Sequence, residues 1–172
     1  AGPGVDRRTR ARELTGRPAV SSQPGPPVGP PPPPNESPPT VCVVGAGAVG
    51  TMIGAMVSAS GVRTTALARG RTLDSLRHNG WRLRQGERLL TAPVLAGSDP
   101  AGLGVADVVV LAVKAQSLPG LAPGLAPLIG DRTVVVPAMN GVPWWFCDGL
   151  GGPADGLRLS SVDPGGGVAA AL

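Results

Sequence analysis

Val41-Cys42-Val43-Val44 is a short, mostly β-branched apolar run between prolines and glycines, the signature of a strand buried on both faces. After the glycines, residues 48–60 suit a helix, residues 62–68 a second strand and residues 71–79 a second helix. Residues 81–84 and 88–94 read as short strands around a Gln85-Gly86 turn. The clearest strand after the first covers 107–113, and the proline-broken stretch 116–128 leaves room for a short helix or two. A last strand is expected over 133–136. Beyond Trp145 the chain turns glycine-rich and polar, and no element is assigned. Strands alternating with helical connections imply an α/β domain with a parallel sheet and helices on both of its faces.

Composition changes this picture mainly at the start of the chain. Residues 1–39 hold 12 of the 21 prolines, including an unbroken run over 30–34, together with five arginines. Such a segment cannot bury apolar surface and is expected to be a disordered or polyproline II tail. A proline-rich ligand, an arginine-rich transit segment or a mis-called start (the chain opens with Ala1) are the other readings, and a functionally neutral extension is preferred. The domain proper is therefore expected over 40–172. Its core must be aliphatic, since only 2% of residues are aromatic.

The net charge is +4, and seven arginines lie between Arg63 and Arg88. No aromatic platform or nucleic-acid module accompanies them, so a solvated face with one or two cofactor contacts is preferred to a nucleic-acid surface. Cys42 and Cys147 are too few and too far apart for a disulfide framework; Cys42 reads as a small core residue and Cys147 is given no role. No metal site is expected. No apolar stretch is long enough to span a bilayer and the first residues lack the apolar middle of a secretory signal, so a cytoplasmic protein without membrane partners is expected.

Gly45-Ala46-Gly47-Ala48-Val49-Gly50 spells G-x-G-x-x-G. The spacing alone is common in a glycine-rich chain, but here it directly follows a hydrophobic strand and runs into a helix, as dinucleotide binding requires. Gly45 would permit the tight turn, Gly47 the approach of a pyrophosphate, and Gly50 close packing of helix on strand. The second strand bears on which dinucleotide. An NAD site places an acid about 20 residues on, whereas this strand ends Leu67-Ala68-Arg69-Gly70-Arg71. Arg69 can pair with a 2′-phosphate, and Arg71 either adds to the field or caps the next helix, so NADP is the expected cofactor. The whole reads as a Rossmann-type doubly wound parallel sheet.

Two further residues share one geometric property. Lys114 directly follows the strand over 107–113, and Asn140 comes a few residues after the strand over 133–136. In a parallel sheet both join Gly45 and Arg69 at the carboxyl ends of the strands, where open α/β sheets bind ligands. His78, the single histidine, lies in a polar helix-end context and reads as structural or exposed.

Together these residues resemble the ketopantoate reductase (2-dehydropantoate 2-reductase) family. The resemblance runs through Val43-Val44 and the glycine motif, Leu67-Ala68-Arg69-Gly70, Leu73, Leu76, Arg77, Asn79-Gly80 and Leu83, then Asp107-Val108-Val109-Val110, Val113-Lys114-Ala115-Gln116 and Asn140-Gly141-Val142. It implies NADPH-dependent reduction of 2-dehydropantoate to pantoate, a step towards pantothenate. Residues Gly45, Ala46, Gly47, Ala48, Val49 and Gly50 then hold the pyrophosphate and Arg69 the 2′-phosphate. Lys114 and Asn140 lie at the nicotinamide end, with Asn140 also near the substrate.

In the family a lysine of a second, helical domain acts as general acid. This chain has a single lysine, Lys114, and its last residue is Leu172. The resemblance therefore puts the family lysine beyond Leu172, and no catalytic residue is assigned within the chain. By the same resemblance the sheet is expected to be incomplete at its C-terminal edge and the helical domain absent, so that the chain binds NADP weakly and does not turn over. The oligomeric state stays open.

Three other functions compete: an NADP oxidoreductase acting on another 2-keto acid or an amino-acid-derived substrate, a non-catalytic NADP-binding fragment or sensor, and arginine-mediated nucleic-acid binding.

Overall fold

A computed structural model describes residues 38–172, so the expected tail falls outside the described residues except for Pro38 and Pro39. The apolar run forms β1 (Thr40–Val44), followed by α1 (Ala48–Ala59), β2 (Arg63–Leu67) and α2 (Gly70–Asn79). Next come β3 (Trp81–Gln85) and β4 (Arg88–Ala92), an antiparallel hairpin with Leu83 opposite Leu90. The strand expected over 88–94 therefore ends early, because Pro93 has no N–H with which to continue a ladder. A separate short strand, β5 (Leu95–Gly97), returns the chain to the main sheet beside β2. β6 (Val108–Leu111) is shorter than the expected 107–113, and β7 (Val134–Pro137) is the last strand of the sheet among the described residues. Between them the proline-broken stretch makes a 3₁₀ turn, the single-turn α3 (Leu118–Leu121) and a second 3₁₀ segment, Ala122–Leu128.

The closing region, left unassigned from sequence, holds 3₁₀ turns and α4 (Gly167–Ala171), whose Val168 and Ala169 N–H groups donate to the buried Asp163 carboxylate. Leu172 ends this helix, its N–H donating to the Val168 carbonyl oxygen at 3.0 Å and its half-buried side chain packing against the core.

The five main strands are all parallel, in the order β5-β2-β1-β6-β7. This is the Rossmann-type arrangement expected, with its two layers of cover built by strand alternation. Cys42 and Val44 face one layer with Val109, Leu111, Leu125, Leu128 and Val168, while Val43 faces the other with Ala55, Leu73, Leu76 and Trp81. Burial pushes the Cys42 thiol pKa up, as suits a small core residue.

Trp81 fixes the hairpin to this second layer. Its side chain is fully buried, its indole N–H donates to Thr64 Oγ1 at 2.8 Å, and its ring lies where a side chain at Gly54 of α1 would stand.

At the amino end of the sheet, Asp107 clasps Thr40 across 67 residues of chain. Its Oδ2 accepts from the Thr40 N–H at 2.8 Å and from the Thr40 hydroxyl at 2.9 Å. These bonds, backbone first, hold the carboxyl below its ordinary value of 3.8, with a smaller contribution from Arg132. A depressed carboxylate stabilises the fold above its unfolded-state value and loses that contribution as pH falls through the folded-state value. The melting temperature should therefore fall between pH 5 and pH 3 more steeply in the wild type than in Asp107→Asn. Parallel melting curves for the two proteins would show that this clasp contributes nothing.

Candidate functional site

The sheet ends in a continuous rim. Past each strand the ladder runs one residue further: Gly45 N–H to Leu67 O at 3.0 Å, Ala68 N–H to Gly97 O at 2.9 Å, Ala112 N–H to Val44 O at 2.8 Å and Ala138 N–H to Leu111 O at 2.9 Å. Every loop that leaves this rim starts from a fixed backbone position.

The glycine turn leaves β1 there. Gly45 has φ +95°, and a Cβ on it would meet the Val113 side chain at 2.7 Å. A Cβ on Gly50 would run into the Gly45 carbonyl oxygen. Gly47 differs from both: nothing lies within 4 Å of a Cβ built on it, and it caps α1 with no side-chain hydrogen bond and no acid in the first turn. The exposed start of α1 (Gly47, Ala48, Val49) thus keeps its first N–H groups and the positive end of its dipole for an anion. Thr51 tightens the turn, its hydroxyl donating to the Ala46 carbonyl at 3.1 Å.

Gly45, Ala46 and Gly47 line one cleft of about 270 Å³ with Arg69. Thr72, Val113 and Leu121 also line it, and the sequence motifs single out none of these three for the site. Val113 and Leu121 come from the far side of the turn, and only the fold reveals them. Arg69 is exposed, two residues past the end of β2, and among the described residues no carboxylate lines the cleft. A backbone cradle beside a guanidinium can hold anionic groups such as phosphates.

Asn140 lines a second, larger cavity of about 700 Å³ at the ends of β6 and β7, with Gln116, Met139, Trp144, Trp145 and Ser161 among its walls. Its polar groups are few and uncharged, against broad aromatic and aliphatic surface. The closing segment, opaque from sequence, supplies one wall of it. Lys114 is exposed at the rim between the two cavities: Val113 lines the first, Ala115 and Gln116 the second. The rim thus gathers Gly45, Ala46, Gly47 and Arg69 in one cleft and Asn140 in its neighbour, and Ala48, Val49 and Gly50 belong to the helix start behind the first.

Leu172, His78 and Cys147 lie elsewhere. Leu172, beyond which the family lysine is expected, lines neither the glycine cleft nor the Asn140 cavity. It stands instead beside Thr133, Val135 and Ala169, so it is a packing residue and no part of the site. His78 is exposed on α2, its Nδ1 2.7 Å from the Asp74 carbonyl oxygen. Cys147 is buried, and among the described residues no group of three or more His, Cys, Asp or Glu is placed to hold a metal. Among the same residues no helix is long and apolar enough to cross a membrane.

The family model of ketopantoate reductase PanE/ApbA matches residues 41–143. A 2-dehydropantoate 2-reductase of Mesorhizobium japonicum is 45% identical over 130 residues, which make up 74% of this chain and 40% of that protein. Among solved structures, a ketopantoate-reductase-like protein of Ralstonia solanacearum MolK2 is 51% identical with a TM-score of 0.75, over 79% of this chain and 42% of that one. A PanE/ApbA family ketopantoate reductase of Ralstonia eutropha JMP134 is 30% identical with a TM-score of 0.56, over 60% of this chain and 35% of that one. The present chain therefore spans well under half the length of these relatives. A glycine turn, its following helix and the five-stranded order all fall within the matched residues, and the chain belongs to the ketopantoate reductase PanE/ApbA family.

Proposed function

We propose that this chain is the NADP-binding part of an enzyme that reduces 2-dehydropantoate to pantoate. The observation that carries the reading is the shared cleft: Gly45, Ala46, Gly47 and Arg69 line one space that, among the described residues, no carboxylate enters. The open cradle at Gly47 and the uncapped α1 terminus would hold the pyrophosphate, and Arg69 would take the 2′-phosphate by charge-assisted bonds. The family name and the names of the relatives support the substrate.

When bound, the nicotinamide supplies the hydride that reduces the keto carbon. Asn140 would then orient the substrate, since its amide both donates and accepts, while the apolar walls beside it exclude water. Lys114 supplies positive charge at the rim between cofactor and substrate. It is the single lysine of this sequence and is assigned no part as general acid.

The test is a pair of calorimetric titrations with NADPH and NADH. The wild type is expected to prefer NADPH, and Arg69→Gln to lose roughly 10- to 100-fold in NADPH affinity while NADH binding stays unchanged. A wild type that binds both nucleotides equally, or neither, overturns the reading.

A further inference from the structure

Beside the nucleotide cleft lies a second pocket of about 320 Å³ that the reading above leaves unused. Two arginines line it, Arg71 at the start of α2 and Arg82 on β3, together with the hydroxyl-bearing Thr51, Thr72 and Ser75. Among the described residues no carboxylate lines it. Ala46 and Thr72 line both spaces, so the pocket continues the cleft on the flank of α2.

Arg82 is held in place by its neighbour. On β3 the side chains alternate, with Trp81 fully buried and Arg82 exposed. The buried indole, bonded to Thr64 and set against Gly54, anchors the strand so that the next residue turns outward at the pocket. Arg84, two residues further along the same strand, is exposed but does not line the pocket.

A phosphomonoester carries about −1.5 to −2 charges at neutral pH and three acceptor oxygens, more than one guanidinium satisfies. Two cations and the hydroxyls of Thr72 and Ser75, adjoining the Arg69 cleft, match that demand.

We propose that Arg82, with Arg71, is a specificity-determining residue that reads the 2′-phosphate of the cofactor alongside Arg69. This inference rests on the NADP reading above, and the two fall to different results. NADPH and NADH are titrated calorimetrically against the wild type, Arg82→Gln, Arg84→Gln and Arg69→Gln. Arg82 and Arg84 are exposed, so their variants keep the core intact, and a melting curve of each variant checks this.

Arg82→Gln is expected to lose about tenfold in NADPH affinity with NADH affinity unchanged, and Arg84→Gln to bind both as the wild type does. If Arg82→Gln keeps the full preference for NADPH while Arg69→Gln loses it, the NADP reading stands and the role of Arg82 is refuted. Equal losses in the Arg82 and Arg84 variants also refute it, since they report a diffuse positive field and no site. A wild type without preference between the nucleotides removes both proposals together.

Discussion

Replacing Trp81 with alanine should lower the stability of the domain by about 3–5 kcal/mol, the range for truncating a large buried aromatic. Trp81 is fully buried, and three elements meet on it: its own hairpin, α1 through Gly54 and β2 through Thr64. Truncation opens a cavity under the hairpin and leaves the Thr64 hydroxyl, itself buried, without its indole donor. Trp81→Phe separates the two effects. It refills most of the volume but restores no donor, so a loss of about 1–3 kcal/mol is expected. Against a total of about 5–15 kcal/mol for a domain, the alanine change is severe. Urea denaturation followed by circular dichroism measures both variants. A midpoint for Trp81→Ala equal to that of the wild type would show that the hairpin packs without this anchor.

The second large effect separates two glycines of one motif. Gly50→Val puts a branched side chain into the Gly45 carbonyl, a backbone atom that cannot swing aside. Either α1 lifts from β1 or the turn shifts, at a cost of about 3 kcal/mol, and the nucleotide cradle is lost with it. Gly47→Ala is the contrast. Its φ of −71° suits any residue and its Cβ meets nothing, so stability should stay within about 0.5 kcal/mol of the wild type. NADPH affinity should nevertheless fall by roughly tenfold or more, because the new methyl stands where the pyrophosphate approaches. Melting curves and NADPH titrations of the two variants read this out. Gly50→Val folding with wild-type stability, or Gly47→Ala binding as tightly as the wild type, contradicts the assigned division of labour.

The parts of the fold legible from sequence are those whose signal is local. The run Val41-Cys42-Val43-Val44 must be buried wherever it goes, and a glycine motif placed between such a run and a helix has few other uses. The rim position of Arg69, Lys114 and Asn140 follows from parallel topology alone, since each comes shortly after a strand end. What the sequence conceals depends on partners. β5 is three residues long and starts two residues after Pro93, and its strand character comes from pairing with β2. β6 stops at Leu111 because the chain must then turn so that Val113 can cover Gly45. α4 is a glycine-led run of alanines that would not hold a helix alone; the Asp163 carboxylate and the burial of Val168 maintain it, with Leu172 packed at its end. Trp144 and Trp145 read alike, yet one is buried and the other exposed. Arg82 is indistinguishable from the other arginines between Arg63 and Arg88 until the hairpin is placed beside α2.

The Thr40–Asp107 clasp has a kinetic consequence. Pairing β1 with β6 closes a loop of 67 residues, and the entropy of that closure is lost before the contacts that reward it form. Neighbours close in the chain, such as β1 with β2 and β3 with β4, incur smaller losses and are free to pair first. On a ribosome the glycine turn is finished early, but the far wall of its cleft waits for Val113 and Leu121 to emerge. A nascent chain therefore completes this cleft late, once Val113 and Leu121 have been made.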